Sequence, residues 1–149
     1  MVQRLYFEDL TEGQVFEAGP FELSEARIIE FANEFDPQAQ HTDPEAARHT
    51  PFEGLAASGW HTAAATMRLM HEAVISRFSG SMGLGVDGLK WARPVRPGDR
   101  LHARITVGPT RLSGSRPGFG IVPLLIKTLN QDGKPVMQMT ASSLVRCRG

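Results

Sequence analysis

The run Asp36-Pro37-Gln38-Ala39-Gln40-His41-Thr42-Asp43-Pro44 sets a carboxylate and an imidazole five positions apart, in a segment whose two prolines restrict its shape. A histidine titrating near neutrality beside a carboxylate is a usual means of activating water or moving a proton. A second stretch, Gly54-Leu55-Ala56-Ala57-Ser58-Gly59-Trp60-His61, stands where a long helix is expected to begin. Unpaired N–H groups at a helix start favour a developing negative oxygen, and Gly59 offers one with no side chain in the way. Together the parts suit conjugate addition of water to an unsaturated thioester, the pair handling the water while the amide holds the carbonyl. No metal, flavin or nicotinamide is needed. Plainer readings stand beside this one: Asp36 as a loop residue after a helix, His41 as a surface side chain, Asp43 as a helix cap, and Gly59 as a point of close packing.

Other catalytic patterns fail on context. His71-Glu72 has Ile75 where a zinc-protease helix needs its second histidine, and Ser58 lacks the flanking glycines of a nucleophile elbow. Gly83-Leu84-Gly85-Val86-Asp87-Gly88 spells a nucleotide fingerprint, but a helix precedes it and Lys90-Trp91-Ala92-Arg93-Pro94 cannot open one.

The elements that must position these residues follow from caps and periodicity. Gln14 to Phe21 reads as extended. Ser24 caps a helix whose face is Ile28, Phe31, Ala32 and Phe35, and Asp36-Pro37 ends it. Asp43-Pro44-Glu45 starts a helix of one or two turns. Ser58 caps the one long helix, expected from about Gly59 to Phe78, about 30 Å in length. Its expected apolar face is Ala63, Ala64, Met67, Met70 or His71, Val74, Ile75 and Phe78. After Ser79 the texture is extended, with strands expected at Leu84–Val95, Leu101–Val107, Phe119–Leu129 and Val136–Val145. Arg96-Pro97-Gly98-Asp99 and Gln131-Asp132-Gly133 are turns between them. Four strands without intervening helices exclude a parallel sheet, leaving an α+β architecture, an antiparallel sheet wrapped round a long central helix.

The chain has 149 residues, a size for a single domain over 1–149. Its 16 basic and 16 acidic residues cancel, which argues against a nucleic-acid binder. The cancellation is uneven: residues 1–60 hold 3 basic and 12 acidic side chains, and residues 61–149 hold 13 and 4. Either the halves neutralise each other on packing, or the second half lines an entrance for an anionic ligand. Cys147 is the only cysteine, so no internal disulfide and no thiolate metal cluster is expected. With no signal-like or membrane-length apolar run, a cytoplasmic protein without membrane contact is expected.

Three stretches carry a family resemblance. Phe31 to Ala47, Phe52 to His61, and Trp91-Ala92-Arg93-Pro94-Val95-Arg96-Pro97-Gly98-Asp99 resemble the MaoC-like dehydratases and (R)-specific enoyl-CoA hydratases of the hotdog fold. The resemblance implies that Asp36 and His41 are the catalytic pair and that the Gly59 N–H polarises the thioester. It implies addition of water to a trans-2-enoyl-CoA to give an (R)-3-hydroxyacyl-CoA, reversibly, with the CoA thioester as substrate and no cofactor. It also implies a homodimer, possibly a higher oligomer, in which two sheets join edge to edge. The chain departs from the family's commonest pattern at Gln38 and Ala39, where Asn and Pro are usual, and at Ser58, where His is frequent. A hotdog acyl-CoA thioesterase and a non-catalytic acyl-thioester-binding protein are the alternatives. The acyl group stays open. Arg68 and Arg77 are candidates to meet a distal carboxylate or simply surface residues, and Trp60 and Trp91 are either core or interface anchors or pocket walls.

Overall fold

The computed structural model describes residues 2–149. A 3-10 turn (Phe7–Asp9) leads to strand β1 (Val15–Leu23) and helix α1 (Glu25–Phe35). Two single-turn helices follow, α2 (Ala39–Thr42) and α3 (Pro44–Ala47), then the long helix α4 (Gly59–Ala73) and a 3-10 turn (Ile75–Arg77). The rest is sheet: β2 (Ser81–Trp91), β3 (Asp99–Val107), β4 (Arg111–Leu112), β5 (Phe119–Leu129) and β6 (Pro135–Arg146). The named strands pair antiparallel in the order β1-β3-β5-β6-β2, with β4 on β5. Helix α4 packs across β1 and β3, so the α+β hotdog arrangement is the one adopted.

Local chemistry explains the boundaries. Ser24 accepts the Arg27 N–H and caps α1; Asp43 accepts the N–H groups of Glu45 and Ala46 and caps α3, with Pro44 at its first position. In β3, Leu101, Ala103, Ile105 and Val107 are buried and Arg100, His102 and Arg104 exposed, the alternation of a sheet with one wet face. Leu101, Ile105, Leu124 and Ile126 are all but inaccessible, each contributing about 1.5–3 kcal/mol relative to exposure.

The strand expected at Leu84–Val95 runs instead over Ser81–Trp91, and two expectations for the long helix need correction. The helix stops at Ala73 rather than continuing to Phe78, because Val74 leaves the helical region at φ −151°. Val74-Ile75 places two β-branched residues in succession, and the Leu5 N–H takes the Arg77 carbonyl, so the chain tightens into a 3-10 turn there. The buried face of α4 is also rotated: Thr62, Ala65, Thr66, Leu69 and Met70 face inward, while Ala64 and Met67 are exposed. Threonines enter the core because Thr66 Oγ1 donates to the Thr62 carbonyl at 2.8 Å and pairs with Thr128 Oγ1 at 2.7 Å. Hydropathy counts the Thr66 and Thr128 hydroxyls as outward; their mutual hydrogen bond lets them sit inward.

Candidate active site

The helix α1 ends at Asp36, whose N–H closes the last turn on the Ala32 carbonyl at 2.8 Å. Pro37 forbids continuation, and the chain re-forms one turn as α2, an element that no cap or periodicity in the sequence signals. That turn carries His41. It is 3% exposed, which excludes the surface role. His41 Nδ1 lies 2.7 Å from the Ala56 carbonyl, and the Ala56 N–H donates back to the Gln40 carbonyl at 3.0 Å. A carbonyl only accepts, so Nδ1 carries the proton and Nε2 of the neutral ring is left as an acceptor. The edge of Phe52 packs against the ring at a centroid distance of 5.6 Å. The imidazole is therefore fixed in tautomer and in plane.

His41 Nε2 faces Asp36 Oδ2 at 3.5 Å. The carboxylate is held from both sides: Ser58 Oγ donates to Oδ2 at 2.7 Å, and Gln38 Nε2 donates to Oδ1 at 2.7 Å. Gln40 Nε2 in turn donates to Gln38 Oε1 at 2.9 Å. Desolvation pushes the Asp36 pKa up, but the bonds from Ser58 and Gln38, and the charge His41 carries when its ring is protonated, outweigh it, so the carboxyl sits below its ordinary value. Asp36 is ionised throughout the neutral range.

Gly59 is the first residue of α4, where no intrahelical carbonyl reaches its N–H. A Cβ there would lie 2.4 Å from Trp91 Cε2, so only glycine lets the indole close over the helix start. Trp91 Nε1 donates to the Gly59 carbonyl at 3.0 Å, and Trp60 meets Trp91 edge-on at 5.4 Å. Both tryptophans are substantially exposed (58% and 44%), so neither is a core residue.

Asp36, His41, Gly59, Trp60 and Trp91 share the walls of one cavity of about 510 Å³, with Gln38, Gln40, Phe52, Thr62 and Arg93 among the others. Arg93 is also a wall residue, with its Nε donating to the Pro135 carbonyl at 3.0 Å. Arg68 instead pairs with Glu72 on the surface, and Arg77 donates to the Gln3 carbonyl. A second cavity, about 570 Å³, lies on the outer sheet face among Lys90, Arg104 and Lys127, with no imidazole–carboxylate pair.

Sequence reasoning missed Arg96. Its Nη1 donates to the Gly54 and Leu55 carbonyls at 3.0 and 3.2 Å, and its Nη2 to the Phe52 carbonyl. It thereby shapes the loop that presents Ala56 to His41. Its partners stand more than forty residues away, so no local spacing announces the role. His61, in the first turn of α4, stacks on Phe31 at 4.4 Å, its Nδ1 buried without a partner; burial and then the Arg27 charge lower its pKa.

Among known proteins, the profile of the MaoC like domain matches residues 8–117. YdeM, an uncharacterised protein of Bacillus subtilis (strain 168), is 32% identical over 139 residues, 93% of this chain and 97% of that protein. The crystal structure of the MaoC-like dehydratase from Rhodospirillum rubrum superposes with a TM-score of 0.91 at 47% identity, covering 97% of this chain and 99% of that one. The unliganded R-hydratase PhaJ1 of Pseudomonas aeruginosa gives 0.79 at 25% identity, covering 99% and 89%. The matched span takes in every residue that walls the cavity, from Asp36 to Val95, together with the Arg96 clamp. On that ground the chain belongs to the MaoC-like dehydratase family.

Proposed function

We propose that this protein adds water reversibly across the double bond of a trans-2-enoyl-CoA, giving an (R)-3-hydroxyacyl-CoA. The observation that carries the reading is the 3.5 Å approach of His41 Nε2 to Asp36 Oδ2 on the wall of a cavity that also includes Gly59. A water between the two acceptors loses one proton to the pair as its oxygen bonds to C3. The pair delivers a proton to C2, so the adduct gains one whole water and the pair regains its starting state. Negative charge building on the thioester oxygen is met by the Gly59 N–H at the positive end of α4. Similarity to an R-hydratase supports the stereochemistry.

The test is a panel of trans-2-enoyl-CoA thioesters of graded chain length, with and without a distal carboxylate. Enoyl absorbance and free thiol are followed together. Hydration of at least one member without thiol release is expected. Thiol appearing as fast as the enoyl group is lost would make the protein a thioesterase, and tight binding with no turnover would make it a binding protein.

The same reading includes a homodimer. Strand β2 is a sheet edge of eleven residues, and Met82, Leu84 and Val86 along it are each about half exposed. A long apolar edge of this kind is a template for another strand. A second copy pairing through β2 covers it and lies beside Trp91, the last residue of the strand and a wall of the cavity. Val86→Lys is expected to shift the sedimenting species from dimer to monomer. An unchanged dimer would place the interface elsewhere.

A further inference from the structure

One buried hydroxyl joins the two halves of the site. Ser58 is inaccessible to solvent; its Oγ accepts the Trp60 N–H at 3.3 Å as the cap of α4 and donates its own proton to Asp36 Oδ2 at 2.7 Å. A hydroxyl can do both at once because it has one donor and two acceptor sites. The Asp36 backbone is tied to α1, so this side-chain bond is its link to the start of α4. Gly59, the first residue of α4, whose N–H the proposed function assigns to the thioester carbonyl, is the next residue in the chain. The oxygen that Ser58 binds is also the one facing His41 Nε2, which leaves one of its lone pairs for water. We infer that Ser58 is a positioning residue, its hydroxyl holding the proton-transferring oxygen of Asp36 at a fixed distance from the Gly59 amide.

Gln38 and Gln40 support the opposite oxygen, so the donors around Asp36 include two residues, Gln38 and Ser58, at which the chain departs from the family's usual types. The titratable groups on the surrounding elements are Glu25, Arg27, Glu30 and Glu34 on α1, His41 on α2, Asp43 before α3, Glu45 on α3, His61, Arg68, His71 and Glu72 on α4, and Arg93 after β2. Of these, His41 is the one whose charge adds to the depression of the Asp36 pKa. Losing the Ser58 donor therefore raises that pKa.

The inference rests on the hydratase reading for its kinetic arm only. Ser58→Gly keeps much of the capping capacity of the position while deleting the bond to Asp36, Ser58→Ala deletes both, and Ser58→Thr keeps a hydroxyl. With an enoyl-CoA that the wild type hydrates, Ser58→Gly and Ser58→Ala are expected to lower kcat roughly ten- to a hundredfold with little change in KM. The acid limb of kcat and the carbon-13 titration of the Asp36 carboxyl should move up together by about one pH unit. Ser58→Thr is expected to restore most of the rate and the wild-type titration. A lowered melting temperature in Ser58→Gly with an unmoved Asp36 titration would make Ser58 a helix cap and nothing more, overturning the inference. A shifted titration in a protein that hydrates no member of the panel supports the tether and defeats the hydratase reading alone.

Discussion

Asp36→Asn is expected to lower the rate of enoyl-CoA hydration by roughly 10²–10⁴-fold while leaving the fold intact, the usual scale for removing a positioned proton-transfer group. The amide nearly matches the carboxylate in shape but cannot take a proton from water. Its oxygen can still accept from Gln38 or Ser58, and the Ser58 hydroxyl can turn to accept instead, so no buried group is stranded. A small loss of stability at neutral pH goes with this. The Asp36 pKa is depressed in the folded protein, so its ionised form stabilises the fold above the unfolded carboxylate pKa near 3.8. That contribution fades as the pH falls through the lower folded value. Hence the wild type and Asp36→Asn should converge in stability once the pH falls below the lowered folded value, and no loss of wild-type activity between pH 8 and 5 traces to protonation of Asp36. Single-turnover hydration and thermal melts across this range check both halves. A variant within fivefold of the wild-type rate would remove Asp36 from the chemistry.

Much of the frame is legible because its causes are local. Ser24, Asp43 and Ser58 each cap the helix expected of them, and Asp36-Pro37 stops α1 through a steric rule acting between neighbours. The two-residue period of β3 is enough to assign each of its side chains to the wet or the buried face. The same locality brings Asp36 and His41 into one short segment, and five positions with a turn between them suffice to let them face each other.

What is not legible depends on distant partners. The inward hydroxyl of Thr66 requires Thr128, sixty-two residues further along the chain. The closure of Trp91 over Gly59 requires the sheet to deliver β2 to the mouth of α4. In the sequence Ser58 reads as a cap, and only the folded chain shows that the same oxygen reaches back twenty-two residues to Asp36. Composition also misdirects: of the arginines in the basic half, Arg93 reaches the cavity wall while Arg68 is spent on a surface pair.

The Arg96 clamp carries the largest stability prediction. Its guanidinium collects three carbonyls, of Phe52, Gly54 and Leu55, into one fork, and the residue's own N–H is held by Asp99 Oδ2 at 2.8 Å. The loop needs that hold. Glu53 sits at φ +57°, a left-handed conformation unfavourable for a residue with a side chain, and carbonyls turned toward a common centre repel one another without a cation. Arg96→Ala leaves them part-buried and unpaired, at a cost of about 3 kcal/mol or more. For a chain of 149 residues that lowers the melting temperature by roughly 10 °C. Arg96→Lys recovers only part of it, because an ammonium cannot span three acceptors as a planar fork does. The effect should not stop at stability. Relaxation of the loop moves the Ala56 carbonyl, which fixes the protonated nitrogen of His41, so hydration should fall even at temperatures where Arg96→Ala remains folded. Melting curves and kcat measured well below the transition separate the two effects. A melting temperature within about 2 °C of wild type, set against the roughly 10 °C expected for this length, would mean the loop holds its shape without the clamp.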